Sequence, residues 1–335
     1  MQSDKLRVRR RAASMLTMAL ALRLMMALGV EDWTARTLEA WLAPPVPAAA
    51  MAATAPEQTQ EPEQKTPEPA QQEEPASPKS EPEGDKLVFT KEDAAAITIG
   101  GACTYDVDPW ELLQRESVLN FDQDGPTVLI VHTHTSEAYT MEAGWEYDEN
   151  ETARTQDTEY SVVRVGRVLA EGLEARGISV LHDTSFNDYP SYNGAYNSTL
   201  KKIEQWVEEY PTIQMVIDIH RDAGANADGT PVRHAVTLDG QETAQLMLVV
   251  GTYQGGLSHP NWQDNLSWAL KLQAVLERQW PGLCRNLDLR TERFNQHMTP
   301  GSLLIEVGSS GNTLKEALAA AELLADGLAD LIEGT

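Results

Sequence analysis

Cysteine is nearly absent: the 335 residues include only Cys103 and Cys284, too few for a disulfide framework or a cysteine-based zinc cluster. A single bridge between them and two separate thiols are both compatible with the sequence. Basic residues are in deficit, with 26 Lys and Arg against 51 Asp and Glu and a formal net charge of −25. A surface of that sign repels phosphate polymers, so no nucleic-acid partner is expected. No internal repeat is present, and low complexity is confined to one proline-rich stretch.

What is present changes along the chain. Residues 1–43 open with a basic flank, Lys5, Arg7, Arg9, Arg10 and Arg11, followed by the mainly apolar stretch Ala12 to Val30. About 20 apolar residues span a bilayer as a helix, and the basic side stays cytoplasmic. The segment therefore reads as a single-pass anchor in the cell membrane, with everything after it on the extracytoplasmic side. Arg23 counts against this, because an arginine at mid-bilayer costs about 3 kcal/mol. Two readings compete with the anchor: a signal peptide cut within the Ala-rich Ala43 to Ala53, and an interfacial amphipathic helix that accommodates Arg23 and Arg36. Residues 44–86 are dominated by Pro, Glu, Gln and Ala. They cannot bury enough apolar surface to offset ordering entropy and are expected to form an extended, disordered tether.

Residues 87–335 form the foldable part, roughly 250 residues, a suitable length for one α/β domain. Apolar runs bounded by turn signals predict buried strands at Thr127 to Val131, Met215 to Ile219 and Leu303 to Val307. Further strands are expected at Ile178 to His182, Ala235 to Leu238, Ala244 to Gly251 and Leu287 to Phe294. Helical spacing predicts helices over Ser161 to Arg176, stopped by Gly177, and over Leu200 to Glu209, Asn265 to Gln279 and Thr313 to Ile332, the last capped by Asn312. The alternation of strand and helix predicts a twisted, mostly parallel central sheet with helices on both faces.

The chemistry gathers where three strands end. The first runs into His132-Thr133-His134-Thr135-Ser136-Glu137, the second into His220-Arg221-Asp222, and the third into Glu306. In open α/β sheets ligands bind beyond the carboxyl ends of strands. If the three strands are neighbours, His134, Glu137 and His220 form a three-ligand zinc site with a place left for water. Glu306 is then the general base and Arg221 a cation for the oxyanion. His132 is an alternative to His134, and Glu159, just before the first long helix, an alternative to Glu137. Asp218 and Asp222 are candidates to orient ligands, and Tyr189, Tyr192, Trp262 and Asn295 to line a groove. His182, His234, His259 and His297 read as surface or packing residues, with His297 close enough in sequence to Glu306 to border the cleft.

His132-Thr133-His134-Thr135-Ser136-Glu137-Ala138-Tyr139, Asp218-Ile219-His220-Arg221-Asp222-Ala223, Asn295-Gln296 and Leu304-Ile305-Glu306-Val307-Gly308, taken together, resemble the stage II sporulation protein P family. The resemblance extends from about residue 120 to the end and fits the anchor-plus-tether layout. It implies a zinc-dependent peptidoglycan hydrolase akin in fold to N-acetylmuramoyl-L-alanine amidases and, more distantly, to zinc carboxypeptidases. The implied activity is cleavage of the bond between N-acetylmuramic acid and L-alanine, with stem-peptide crosslinks as a further substrate, in septal wall degradation and engulfment during sporulation. It also implies a partner, the lytic transglycosylase stage II sporulation protein D. On matching positions, His134, Glu137 and His220 would hold Zn2+ and Glu306 would be the catalytic carboxylate. A peptidase acting only on stem peptides and a catalytically silent wall-binding scaffold are the rival readings.

Overall fold

A computed structural model describes residues 86–149 and 153–335. The anchor and tether expectations fall before these and lie outside the described residues. Among the described residues no helix is long and apolar enough to cross a membrane.

The order of elements is α1 (Lys91–Ala96), β1 (Ile99–Gly100), α2 (Pro109–Leu113), β2 (Val128–Val131), α3 (Val162–Ala175), β3 (Val180–His182), α4 (Ala195–Glu209) and β4 (Met215–Asp222). There follow β5 (Ala235–Leu238), β6 (Gln241–Ala244), β7 (Leu246–Gly251), α5 (Trp262–Gln279), β8 (Leu287–Arg290), β9 (Leu303–Ser309) and α6 (Leu314–Glu333). Seven strands make one sheet in the order β1-β8-β7-β9-β4-β2-β3, and β5 and β6 form a separate hairpin. Every pairing in the large sheet is parallel except β7 with β9. The expected mostly parallel α/β sheet is present, and β2, β4 and β9 are side by side.

Alternation along each strand sorts the side chains onto two faces. Val128, Ile130, Ile217, Ile219, Leu303 and Ile305 enter the large core beneath α3, α5 and α6. Leu129, Val131 and Val216 face the other way, packing with Ile203 and Trp206 of α4. By the same alternation Asp218, His220 and Glu306 belong to the α4 face. The three strand ends therefore deliver chemistry to one side of the sheet, toward the carboxyl ends of the strands.

Local departures from expectation have physical causes. α6 is capped by Thr313 rather than Asn312: Thr313 and Glu316 form a reciprocal capping box. Asn312 instead accepts from Ser309 N at 2.9 Å and donates to Glu316 at 2.7 Å. The run Ala244 to Gly251 is split, Ala244 closing the hairpin and Leu246 opening β7. β8 stops at Arg290, and beyond it Phe294 and Asn295 adopt left-handed backbone, with φ 48° and 62°. α4 begins at Ala195, ahead of Leu200, because a 3₁₀ turn over Tyr192–Gly194 leads into it. Cys103 and Cys284 are both free thiols.

Candidate functional site

His220 and Glu306 occupy paired positions on β4 and β9. β2 lies on the other side of β4, with Val131 opposite Asp218, so the chain leaving β2 passes directly beside them. Thr133 anchors that passage: its amide donates to Asp218 Oδ1 at 2.8 Å and its hydroxyl to Oδ2 at 2.5 Å. His134 thereby comes to stand with its ring 5.3 Å from that of His220, nearly perpendicular. A turn in which Glu137 N donates to His134 O then brings Glu137 back to the pair. Its Oε2 lies 3.5 Å from His220 Nδ1 and accepts from the Arg221 amide at 3.2 Å. His134, Glu137 and His220 thus stand beside one another, with Glu306 paired to His220 on the neighbouring strand.

The electrostatics follow from this packing. Burial alone would raise Glu137, but the His220 contact and the Arg221 charge outweigh it and bring the carboxyl down to about 2. Burial opposes protonation of His220, yet Asp218 and then Glu137 hold it well above the usual imidazole range. His220 Nε2 is 3.0 Å from Asp218 Oδ1 but lacks hydrogen-bond geometry, so that contact is ionic. Burial lowers His134, and its Nδ1 is buried without a partner. Glu306 is pushed up to about 8, chiefly by burial. Its Oε2 also lacks a partner.

Two imidazoles and a carboxylate are the donor types zinc takes, and the orphaned His134 Nδ1 is a buried donor in want of a cation or proton. Among the described residues, however, no group of three His, Cys, Asp or Glu side chains is closed around a common point. The donors meet zinc's requirements in kind.

The alternative residues stand in different places. Glu159 is solvent-exposed and bound at both oxygens by Arg167 at 2.7 Å, away from this cluster. His132 is fully buried behind it, with Nδ1 3.1 Å from Ile219 O and Nε2 2.8 Å from His182 Nε2. Because a carbonyl only accepts, His132 Nδ1 carries the proton and His182 donates to Nε2. Burial pushes the two rings down to about 3 and about 4, in keeping with a neutral pair. Arg221 is not free to meet a substrate oxyanion. Its guanidinium donates to Ala138 O and Ala153 O at 2.9 Å each and lies 3.6 Å from Glu137. That geometry corrects the expected role: Arg221 braces Glu137 and the loop carrying it. Asp222 pairs with Arg285 at 2.8 Å. Trp262 is buried against Tyr105 and Tyr253, and His297 packs beside His259.

Two functional neighbours have no pattern in the sequence. Arg154 reaches Asp188 at 2.8 Å and Glu137 at 3.5 Å, and its guanidinium covers the Tyr192 ring at 4.7 Å. Tyr192 also stacks on His134, with centroids 4.3 Å apart and planes 7° from parallel. Tyr196, at the start of α4, lies parallel to His220 and edge-on to His134. Only a helix start at Ala195, earlier than periodicity gives, would have revealed it.

Residues 33–329 match the family described as Stage II sporulation protein P. The curated Stage II sporulation protein P of Bacillus subtilis (strain 168) is 27% identical over 214 residues, covering 61% of this chain and 50% of that protein. The chain thus matches about half the length of that relative. Among solved structures, an N-acetylmuramoyl-L-alanine amidase from Clostridium difficile 630 aligns with TM-score 0.35 and 14% identity, covering 62% of this chain and 95% of that one. The amidase Ami1 from Mycobacterium smegmatis aligns with TM-score 0.37 and 13% identity, covering 65% and 96%.

Proposed function

The chain belongs to the stage II sporulation protein P family, and from that premise we propose that it is a zinc-dependent hydrolase of peptidoglycan acting at the N-acetylmuramoyl-L-alanine amide. The observation that carries the reading is the convergence of His134, Glu137 and His220 on the face that also presents the partnerless Glu306 carboxyl.

His134, Glu137 and His220 would hold the metal. Zinc so held supplies Lewis acidity and makes a water nucleophilic near neutral pH. The chain's own groups do the rest. Asp218, fixed by Thr133, orients His220, the kind of support that keeps a ligand ring in place. Arg221 helps keep Glu137 anionic. Glu306 takes a proton from the attacking water and returns it to the departing amine nitrogen. A carboxyl raised toward neutrality suits both halves of that task.

In the cell we place this activity outside the cytoplasmic membrane, tethered through residues 1–86, in septal wall degradation during engulfment. The stage II sporulation protein D-like transglycosylase is the proposed partner and stem-peptide crosslinks a further substrate. Digestion of purified peptidoglycan tests the central claim. Glycan strands free of peptide, released by the wild type and not by Glu306→Gln, are expected. Shortened peptides still attached to muramic acid would replace the amidase reading with a peptidase, and no products at all would favour a wall-binding scaffold.

A further inference from the structure

Tyr196 neighbours His134 and His220 and also meets Phe294, with centroids 5.8 Å apart and planes tilted by 49°. Beyond it opens a cleft of about 300 Å³ walled by Tyr196, Leu200, Leu257 and Phe294, with Arg293 among its lining residues. That volume is at the lower end of ligand clefts, about 300–1,000 Å³.

The cleft is built rather than incidental. Asn295 Nδ2 donates to Tyr196 O at 2.8 Å, tying one wall to the other. Buried Gln296 accepts from Gly251 N at 2.6 Å and donates to Val249 O at 2.8 Å, fixing the loop to the end of β7. Gly255 N donates to Thr291 O at 2.8 Å, and a Cβ there would lie 2.7 Å from that same oxygen, so only glycine permits the approach. Two successive non-glycine residues, Phe294 and Asn295, are held in left-handed backbone at this wall. Such conformations persist where the surroundings over-determine them, and they cluster at binding sites.

We propose that this cleft is the peptide subsite: it takes the stem peptide on the amine side of the scissile bond, aliphatic side chains against the apolar walls and a peptide carboxylate against Arg293. The proposal rests on the amidase reading and adds which side of the bond lies where. The walls select an aliphatic chain over a sugar. Tyr196 and Phe294 are tilted against each other rather than offering a flat stacking platform, and Tyr192, closer to the centre, already stacks on His134 and has Arg154 over its ring. Leu257 leaves a large apolar side chain 59% exposed at the cleft. Arg293 spends one N–H on Ser258 O at 3.0 Å. Glu292 also lines the cleft, with Arg290 3.5 Å from it to offset its charge, which leaves the Arg293 guanidinium as the group complementary to a peptide carboxylate.

The test titrates the full-length chain with the free tripeptide L-alanyl-γ-D-glutamyl-diamino acid by calorimetry, alongside Leu257→Ser and Arg293→Gln, both altered at solvent-accessible side chains. The dissociation constant should rise at least tenfold in each. KM for a muramoyl-tripeptide should rise with kcat unchanged, while muramoyl-L-alanine, which ends before the cleft, should show neither change. Unchanged peptide affinity in both variants, or no measurable binding by the wild type, overturns the subsite. Peptide binding that the variants lose, with no release of peptide from muramic acid by the wild type, keeps the subsite and sinks the amidase reading. Amide hydrolysis that both variants perform on both substrates as the wild type does keeps the amidase and sinks the subsite.

Discussion

Gly166 lies mid-helix in α3, where alanine is ordinarily better by about 0.5–1 kcal/mol. Here the sign should reverse. A Cβ at Gly166 would stand 2.6 Å from His132 Cε1, 2.7 Å from its Nε2 and 3.0 Å from His182 Nε2. Neither ring can swing away cheaply, because His132 is pinned between Ile219 O and His182 and is fully buried. Overpacking of a dense interior costs about 1–3 kcal/mol. With the lost imidazole contact the upper end applies, and after the helical gain Gly166→Ala should destabilise by about 2 kcal/mol. For a domain of this size that is a fall in Tm of about 4–8 °C. Urea denaturation measures the change directly, and a double-mutant cycle with His132→Ala identifies its origin. Once the ring is gone, Gly166→Ala should become neutral or stabilising. An unchanged penalty in the His132→Ala background, or a stabilised single variant, would refute the steric argument.

Metal content separates ligands from bystanders: His134→Ala, Glu137→Ala and His220→Ala should lose bound zinc by elemental analysis. Glu159→Ala and Glu306→Gln should retain it, the latter with hydrolysis down by about 10²–10⁴-fold. Asp188, whose side chain is fully buried, accepts from the Ser136 hydroxyl at 2.6 Å and from Arg154 at 2.8 Å. Asp188→Ala should cost about 1–3 kcal/mol in denaturant, because it removes the charged acceptor of both Arg154 and the Ser136 hydroxyl while Arg154 keeps Glu137 at 3.5 Å. His259 is 1% exposed, and burial followed by the nearby His297 pushes it down to about 4. The unfolded chain binds this proton below pH about 6.5, whereas the fold refuses it until about 4. Its contribution is therefore fully present above pH 6.5 and is lost as pH falls toward 4, by on the order of 3 kcal/mol. His259→Phe should flatten that part of the stability-against-pH curve.

The centre was legible because its residues end buried apolar runs, a one-dimensional signal. His134, Glu137, His220 and Glu306 each follow or close such a run, and three runs of that kind in one α/β chain leave few arrangements. What escaped depends on three-dimensional packing. Arg154 and Asp188 come from loops without periodicity. Tyr196 belongs to a helical turn extending ahead of the apolar pattern. The reversed direction of β7 is invisible because a buried strand reads alike either way. Asn312 looked like a cap, yet Thr313 with Glu316 three residues on was the stronger signature.

Because His220 and Glu306 are cross-strand partners on hydrogen-bonded β4 and β9, their separation is held like the gap in a fixed jaw. Changing it means shearing the sheet. His134 and Glu137 ride instead on a turn propped by three side chains from two other segments, Asp218 and Arg221 of β4 and Arg154 of the loop before α3. Removing one of those props should therefore disturb the turn while leaving the His220–Glu306 spacing as the sheet sets it.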